Sequence, residues 1–229
     1  MIALAHLGRH LVVAHKPSGL ATTSPDGGDS LTRRLEAQIG GPLHPTSRLD
    51  AEVTGLVTFA RTKHAIAVLK DARARGAYHR EYLGLASATP APLEGEWGWT
   101  IAIDPREPRL RVALEPGARG ARAQAACTRY AVRASAAGVA ALALFPITGR
   151  THQLRVHAAR AGAPLLGDVR YGGPRRLVLD DGRVVRAPRV MLHCRRLTIP
   201  DAEGGALELE APVPDDLASL WSSLGGEPL

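Results

Sequence analysis

The segment His44-Pro-Thr-Ser-Arg-Leu-Asp-Ala-Glu-Val-Thr-Gly-Leu-Val-Thr-Phe59 joins a polar stretch to the start of an apolar strand. Arg48 and Asp50 lie two residues apart in the polar part, and the apolar residues from Leu56 onward begin a predicted core strand. A carboxylate at the end of a rigid element is well placed for chemistry. Asp50 is therefore the first candidate catalytic residue, and the alternative is an Asp that serves a turn or a helix N-cap.

The composition is typical of a globular protein. The 229 residues are 45% hydrophobic and 22% charged, and no apolar run approaches the roughly 18 residues that a membrane span needs. The first ten residues lack the features of a secretory signal, and two cysteines are too few for a disulfide framework or a Cys-based zinc site. We therefore expect a cytoplasmic protein that does not bind membranes.

The net charge of +7 indicates a polyanionic partner, because a basic surface attracts phosphate backbones. All but three of the 29 basic residues are arginine. The planar guanidinium pairs with phosphate and stacks on bases, which suits RNA. The nucleotide composition of the genome explains the preference for arginine over lysine equally well, so that preference alone does not establish the partner.

Hydrophobic periodicity predicts a mixture of strands and helices. Helices are expected over 31–39, where two glycines follow, over 63–75, up to Gly162, and over 215–224. Strands are expected within 11–20, from 56, over 78–85, 124–133, 139–145, 190–194 and 207–211, with hairpins around 104–108 and at 181–182. Neither a repeat nor an interdomain linker is evident, so we expect a single domain over 1–229, with its core at about 11–217.

A second informative segment is Pro146-Ile-Thr-Gly-Arg-Thr-His-Gln-Leu-Arg-Val-His-Ala-Ala-Arg-Ala-Gly162. It predicts a strand that ends near Gly149 and a helix capped by Thr148 or Thr151. A helix N-terminus with basic side chains is a natural anion site, and this start is crowded with polar and basic groups, namely Arg150, His152, Gln153, Arg155 and His157. The two histidines are five residues apart rather than four, so we expect no metal site.

Together these segments resemble the RluA family of pseudouridine synthases. The resemblance rests on six motifs in order: Lys16-Pro-Ser-Gly19, Arg48-Leu-Asp50 with Thr54-Gly-Leu56, Arg80-Glu-Tyr82, Thr148–His157, Leu165-Leu-Gly-Asp168 with Tyr171-Gly172, and Leu192-His193 with Ala211-Pro-Val-Pro214. It implies an α+β pseudouridine synthase catalytic fold with a mixed, mostly antiparallel central sheet and flanking helices and loops. The first motif lies so early in the chain that we expect no N-terminal S4-type RNA-binding domain.

Three positions depart from the family pattern. Ser47 stands where the family usually has His, and Arg80 stands where it usually has Lys. The usual Thr/Ser-Gly pair is present only as Thr54-Gly55. None of these changes removes the Asp, Tyr or Arg that the chemistry needs, so activity is expected. Ser47 is the first place to look for a difference in how the chain contacts RNA.

The resemblance implies an isomerase that converts specific uridines of ribosomal or transfer RNA to pseudouridine without a cofactor or a metal. Asp50 is implied to be the catalytic carboxylate, either as a nucleophile or as a base that takes a sugar proton. Arg155 is implied to be the cation paired with it. Tyr82, which as a strand residue is otherwise explained by packing, is implied to stack on the uracil and to help remove the C5 proton.

The target base must leave its RNA helix, which costs a few kcal/mol of unstacking. We expect Arg48 to fill the gap that the base leaves. The other RNA-binding positions that we expect are Thr54, Gly55, Arg80, Arg150, His152, Gln153 and His157. A salt-sensitive contact with the RNA backbone is expected from Arg61, Lys63, Arg73, Arg75, Arg106, Arg119, Arg122 and Arg170.

Two other functions fit parts of the sequence. A non-catalytic RNA-binding or ribosome-assembly protein that has kept the fold would tolerate Asp50→Ala. A phosphate-handling enzyme that uses the helix start at 148–157 would depend on a metal or a nucleotide. The combination of Asp50, Tyr82 and Arg155 favours the synthase, which we expect to be a monomer.

Overall fold

The computed structural model describes residues 1–229. The strands are, in chain order, β1 (Leu4–Leu7), β2 (Leu11–Lys16), β3 (His44–Pro45), β4 (Thr54–Ala60), β5 (His79–Ala86), β6 (Glu94–Trp97), β7 (Thr100–Ile103), β8 (Arg111–Leu114), β9 (Thr128–Ala136), β10 (Val139–Pro146), β11 (Arg176–Val178), β12 (Val184–Arg186), β13 (Leu192–Pro200) and β14 (Ala206–Glu210). The helices are α1 (Leu31–Ile39), α2 (Lys63–Ala74), α3 (Gln153–Arg160) and α4 (Asp215–Ser223), and a 3-10 turn covers Val169–Tyr171.

The chain forms two compact units. Unit 1 consists of Met1–Glu81 and His193–Pro212, and unit 2 consists of Tyr82–Leu192 and Val213–Leu229. The central sheet is mixed and mostly antiparallel, as the resemblance implied. None of the helices combines the length and the apolar character that crossing a membrane requires.

Unit 1 is built around β4, in which every residue is buried. Strand β2 pairs with β1 and β4 in antiparallel fashion, and β13 pairs with β4 in parallel. The short strand β3 also pairs with β4, and β14 pairs with β13. Because all seven residues of β4 are buried, Thr54 and Thr58 included, both of its faces lie in the interior.

Unit 2 is built on four antiparallel strands in the order β5-β10-β9-β6, and most of β5 belongs to this unit. The inner residues of β5 and β10 pack against α4 in a cluster that includes Leu85, Ala141, Met191 and Trp221. Two hairpins, β7–β8 and β11–β12, lie outside this sheet, as the turn residues around 104–108 and at 181–182 predicted.

The predictions of α1 and α2 are confirmed by their caps. Ser30 accepts a hydrogen bond from the amide of Arg33, and Thr62 accepts one from the amide of Ala65. Each helix therefore satisfies one of its exposed N-terminal amides with the preceding hydroxyl residue. Gly40, with a φ of 74°, ends α1. These signals are local, so the sequence carries them directly.

The cap predicted for α3 was wrong. The N-cap is His152, in the left-handed conformation with a φ of 56°, and its side chain makes no capping bond. The Thr148 hydroxyl is occupied elsewhere, because it accepts from the amide of Cys127 and donates to Oε1 of Gln153. The amide of Cys127 and the side chain of Gln153 thus take the hydroxyl that a local capping rule assigned to the helix.

The segment 165–173 lies between α3 and β11, and its first four residues, 165–168, are buried. Gly167 and Gly173 permit this, since a Cβ at either position would lie 1.8 Å from a backbone oxygen, that of Arg189 or that of Leu165. The segment therefore lies directly against other backbone.

The sequence analysis did not predict strands β1, β3 and β6, because each is short and lacks a clear alternation of apolar residues.

We predict that Gly55→Ala prevents folding or destabilises the protein by more than about 3 kcal/mol. Gly55 has a φ of 113°, and a Cβ there would lie 2.2 Å from the carbonyl oxygen of Cys194 on the parallel strand β13. Urea denaturation measures the loss. Gly172→Ala is the control, because Gly172 also has a positive φ, in the left-handed helical region, but open space around it, so only about 1–2 kcal/mol of backbone strain is expected. Equal losses in the two variants would contradict this explanation.

Candidate active site

Asp50 lies in a short loop of unit 1 between the buried Leu49 and strand β4, and its side chain is half-buried. The backbone on both sides is fixed. The Thr22 hydroxyl donates to the carbonyl of Leu49 at 3.0 Å and accepts from its amide at 3.1 Å. The amide of Gly19 donates to the carbonyl of Ala51 at 2.9 Å. The loop that carries Asp50 is therefore held by the segment that follows β2.

Lys16 reinforces this attachment from inside. Its side chain is only 2% exposed, and its ammonium group donates to the carbonyls of Pro17, Leu20 and Ala51 at 2.7–2.8 Å. A buried ammonium is costly without hydrogen-bond partners, so the three carbonyls must converge on it. The motif Lys16-Pro-Ser-Gly19 thus determines where the residue after Asp50 lies.

Ser47 points into the fold. Its hydroxyl accepts from the amide of Thr58 at 2.9 Å and from the Thr58 hydroxyl at 3.0 Å, and that hydroxyl is also 2.7 Å from the Tyr78 hydroxyl. Ser47 therefore attaches the segment before Asp50 to the buried strand β4. This position favours a structural role over the contact with RNA for which we singled the residue out.

Thr54 and Gly55 are structural members of the same region. The Thr54 hydroxyl lies 2.9 Å from Nδ1 of His193 on β13, and Gly55 leaves room for that strand. Both are buried within the sheet. Their expected contribution to RNA binding is therefore indirect, through the position of β4 and the loop before it.

The two arginines of unit 1 that we expect close to the target base, Arg48 and Arg80, differ in exposure. Arg48 is exposed two residues before Asp50, whereas Arg80 is half-buried with its guanidinium carbon 5.7 Å from the centroid of the Tyr78 ring. The other face-on contact of that ring is with Arg73, at 4.0 Å. Of these two arginines, Arg48 is the exposed one, and it lies on the loop that carries Asp50.

Tyr82 and Arg155 belong to unit 2. Tyr82 lies on β5 opposite Leu144 of β10 and is 5% exposed. Arg155 lies in the first turn of α3 and is also 5% exposed. Nε and Nη2 of Arg155 donate to the two carboxylate oxygens of Asp168, each at 2.7 Å. The sequence did not indicate this partner, and Asp168 is itself only 1% exposed.

His152 and Tyr171 lie beside this ion pair. The Tyr171 hydroxyl accepts from the amide of Arg111 at 3.0 Å and lies 2.7 Å from Nδ1 of His152. Because the hydroxyl already accepts one bond, it can donate its own proton to Nδ1. The ring centroid of Tyr171 lies 5.0 Å from the guanidinium carbon of Arg155. His152 thus holds the aromatic residue that contacts Arg155.

Gln153 is buried at 4% exposure and makes four hydrogen bonds within the protein. Its oxygen accepts from the Thr148 hydroxyl and the amide of Arg150, and its nitrogen donates to the carbonyl of Cys127 and the hydroxyl of Thr128. An amide side chain has two donors and two acceptor positions, so its capacity is filled. The structure therefore favours a role in shaping the turn into α3 over the direct RNA contact that we expected.

His157 is fully buried, and its position argues against direct contact with RNA in the same way. Nε2 lies 3.1 Å from the carbonyl of Trp99, which can only accept, so Nε2 carries a proton. Nδ1 then accepts from Thr128, 3.0 Å away. Burial lowers the pKa of His157 below its ordinary value of 6.5, and the bond to Trp99 opposes this effect. The neutral ring is the form that fits the site.

Arg150 is half-buried, and its Nε donates to the carbonyl of Ala125. The residues expected to contact the RNA backbone are all exposed, namely Arg61, Lys63, Arg73, Arg75, Arg106, Arg119, Arg122 and Arg170. Arg75 forms an ion pair with Asp71, four residues earlier on α2. The structure contains no group of three or more His, Cys, Asp or Glu side chains that could hold a metal ion.

Sequence reasoning gave no role to Lys16, Asp168 or Tyr171, although all three lie in motifs that it identified. Their roles depend on contacts between distant segments: Lys16 with Ala51, Asp168 with Arg155, and Tyr171 with His152. The available signal was the glycine-rich pattern at 165–173, which indicates a tightly constrained segment.

Residues 10–160 match the family described as RNA pseudouridylate synthase. The dual-specificity RNA pseudouridine synthase RluA of Escherichia coli K12 is 33% identical over 210 residues, which cover 89% of this chain and 90% of that protein. RNA pseudouridine synthase 2 of Arabidopsis thaliana, a chloroplastic protein, is 35% identical over 76% of this chain and 44% of its own length. The solved structure of human RNA pseudouridylate synthase domain containing 4 has a TM-score of 0.78 and 27% identity, covering 99% of this chain and 95% of that one.

These findings define a pseudouridine synthase fold. The chain belongs to the RluA family of pseudouridine synthases. Its activity is the isomerisation of uridine in RNA, so the expected class of enzyme, the fold class and the RNA substrate are confirmed.

We predict that His157 makes the protein less stable as the pH falls. Its pKa is lowered in the folded state, so the unfolded chain takes up a proton below about pH 6.5 that the folded chain resists. Stability is therefore retained above that pH and decreases as the pH falls through 6.5. Urea denaturation at pH 7.5 and 5.5 should show a smaller decrease for His157→Gln than for the wild type. His79→Gln, at an exposed position, should retain the wild-type pH dependence because His157 is intact.

Proposed function

We propose that Asp50 is the catalytic carboxylate of an enzyme that converts specific uridines of ribosomal or transfer RNA to pseudouridine. The observation that carries the proposal is the fixed backbone around Asp50, where Lys16, Gly19 and Thr22 bind the residues on either side and leave the carboxylate half-exposed. A group that must meet its substrate in one geometry benefits from such a rigid support.

The chemistry needs few groups. The bond between C1′ and N1 breaks, a bond between C1′ and C5 forms, N1 gains a proton and C5 loses one, so the product is an isomer and no redox partner is required. Asp50 serves as nucleophile or as the base that takes a sugar proton, and both routes start from the carboxylate. The proposed role of Arg155 is to supply the fixed positive charge that stabilises this carboxylate.

Tyr82 and Arg48 have separate proposed roles towards the RNA. The Tyr82 ring stacks on the uracil, and its hydroxyl helps remove the C5 proton. Arg48 fills the position that the base leaves, which its exposure and its place two residues before Asp50 support. The exposed arginines named above bind the RNA backbone. We further propose that the enzyme acts as a monomer in the cytoplasm, without a cofactor.

We predict that Asp50→Asn lowers activity by at least about 10³-fold, because the amide can act neither as nucleophile nor as base. Release of tritium from RNA labelled at C5 of uridine measures the loss of the C5 proton. Asp26→Asn, in an exposed loop, is the control and should keep wild-type activity. Substantial activity in a folded Asp50→Asn protein would exclude the catalytic role and favour the non-catalytic RNA-binding alternative.

The RNA target has its own test. Pseudouridine is mapped in ribosomal and transfer RNA from cells with and without this gene, and at least one site should disappear in the deletion. The site should return when the wild-type gene is restored and remain absent with the Asp50→Asn gene. A deletion strain that retains every site would show that these two RNA classes are not the substrate.

We predict that Tyr82→Phe keeps RNA binding within about twofold and lowers turnover by about 10²–10⁴-fold, the usual range for loss of an acid–base group. The variant retains the ring that packs in β5 and loses only the hydroxyl. Tritium release and a filter-binding assay on the same RNA separate turnover from affinity. A fully active variant would leave stacking and packing as the functions of this side chain.

A further inference from the structure

The ion pair between Arg155 and Asp168 is unusually constrained. Both side chains are almost completely buried, and the carboxylate binds the Nε–Nη2 edge of the guanidinium with two bonds of 2.7 Å. This side-on arrangement fixes the plane of the guanidinium as well as its position.

The backbone around Asp168 is equally fixed. Its amide donates to the carbonyl of Leu165, and its own carbonyl accepts from the amides of Tyr171 and Gly173. Gly167 and Gly173 allow close backbone contacts that no larger residue would permit. The backbone position of Asp168 is therefore fixed by contacts that do not involve Arg155.

Tyr171, three residues after Asp168, contacts the same guanidinium. Its ring centroid lies 5.0 Å from the guanidinium carbon, within the range of a cation–π contact. Its hydroxyl is fixed by the amide of Arg111 and by His152. One short segment thus supplies both a carboxylate and an aromatic ring to Arg155.

We propose that Asp168 is a positioning residue for pseudouridine formation, acting through Arg155, with Tyr171 as its support. The inference rests on the role of Arg155 proposed above. An arginine side chain has about 2 kcal/mol of rotamer entropy, and a cation that is already oriented stabilises charge without reorganisation during the reaction. Asp168 supplies that orientation, and it balances the charge of a guanidinium that is buried.

Unit 2 contains a matched control for this proposal. Arg189 is also 5% exposed, and its Nε and Nη2 bind the two oxygens of Asp216 at 2.7 and 2.8 Å. This pair has nearly the same hydrogen-bond geometry, although the Asp216 side chain is 36% exposed, and it attaches the start of α4. Loss of either carboxylate should destabilise the protein, whereas only the loss of Asp168 should slow the reaction.

The test compares Asp168→Asn with Asp216→Asn in the tritium-release assay, on a short transcript around the uridine that the RNA mapping identifies. Thermal unfolding is recorded for both, and the assay is run at a temperature at which both are folded. Asp168→Asn should lower kcat by about 10–100-fold and leave KM within about twofold of the wild type, because a misplaced Arg155 guanidinium mainly weakens stabilisation of the transition state. Asp216→Asn should keep kcat within about twofold. A wild-type kcat for folded Asp168→Asn, or an equal loss for Asp216→Asn, overturns the proposal.

A double variant tests whether Asp168 acts through Arg155. In the Arg155→Met background, Asp168→Asn should cost no further activity, because the group that it positions is gone. A full additional loss of 10-fold or more overturns the proposal. If Asp168→Asn does not fold, Asp168→Glu replaces it in the test. This variant keeps the negative charge but displaces it by the length of one carbon–carbon bond. A wild-type kcat in folded Asp168→Glu would also overturn the proposal.

The outcomes separate this inference from the proposed function. If Asp50→Asn retains activity, the catalytic assignment itself fails. If Asp50→Asn is inactive and Arg155→Met is strongly impaired while Asp168→Asn keeps the wild-type kcat, the assignment stands and only the positioning role is excluded.

Discussion

The Asp50 region depends on the hydrogen bonds that the buried ammonium group of Lys16 donates to three backbone carbonyls. Removing an ammonium from water is costly, and here three carbonyl groups offset that cost. Two of them belong to the turn just after β2, and the third belongs to Ala51. The ammonium can be satisfied only if the chain at 17–20 and the chain at 51 meet. The position of the carboxylate is therefore coupled to the folding of the first strands of unit 1.

In unit 2, buried polar side chains at the turn from β10 into α3 also need hydrogen-bond partners. The amide of Gln153, the hydroxyl of Thr128 and the ring of His157 form one chain of hydrogen bonds that ends at the carbonyl of Trp99. Each group donates to the next, so the network is fully satisfied only with a neutral histidine. The network fixes the first two turns of α3, in which Arg155 lies. Residues expected to contact RNA thus serve to hold the helix that carries the arginine.

Local signals made much of the fold predictable. Apolar periodicity, the two glycines after residue 39 and the Asp-Gly turn located α1, α2 and the β11–β12 hairpin, because these signals span only a few residues. The candidate residues came from motif resemblance, which identifies side chains but not their partners. The ion pair between Arg155 and Asp168 depends on the path of the backbone past Gly167, which no local rule specifies. The Thr148 cap was wrongly predicted for the same reason, because the hydroxyl binds the amide of Cys127, which lies far away in the sequence.

The protein uses its two kinds of buried cation in ways that match their shapes. The ammonium of Lys16 is a point charge with three donors in different directions, so it can bind three carbonyls from separate turns. The guanidinium of Arg155 is planar, so it binds the two oxygens of one carboxylate along one edge. Neither geometry suits the other residue type. At these two buried positions the shape of the cation, rather than the nucleotide composition of the gene, explains the choice of residue.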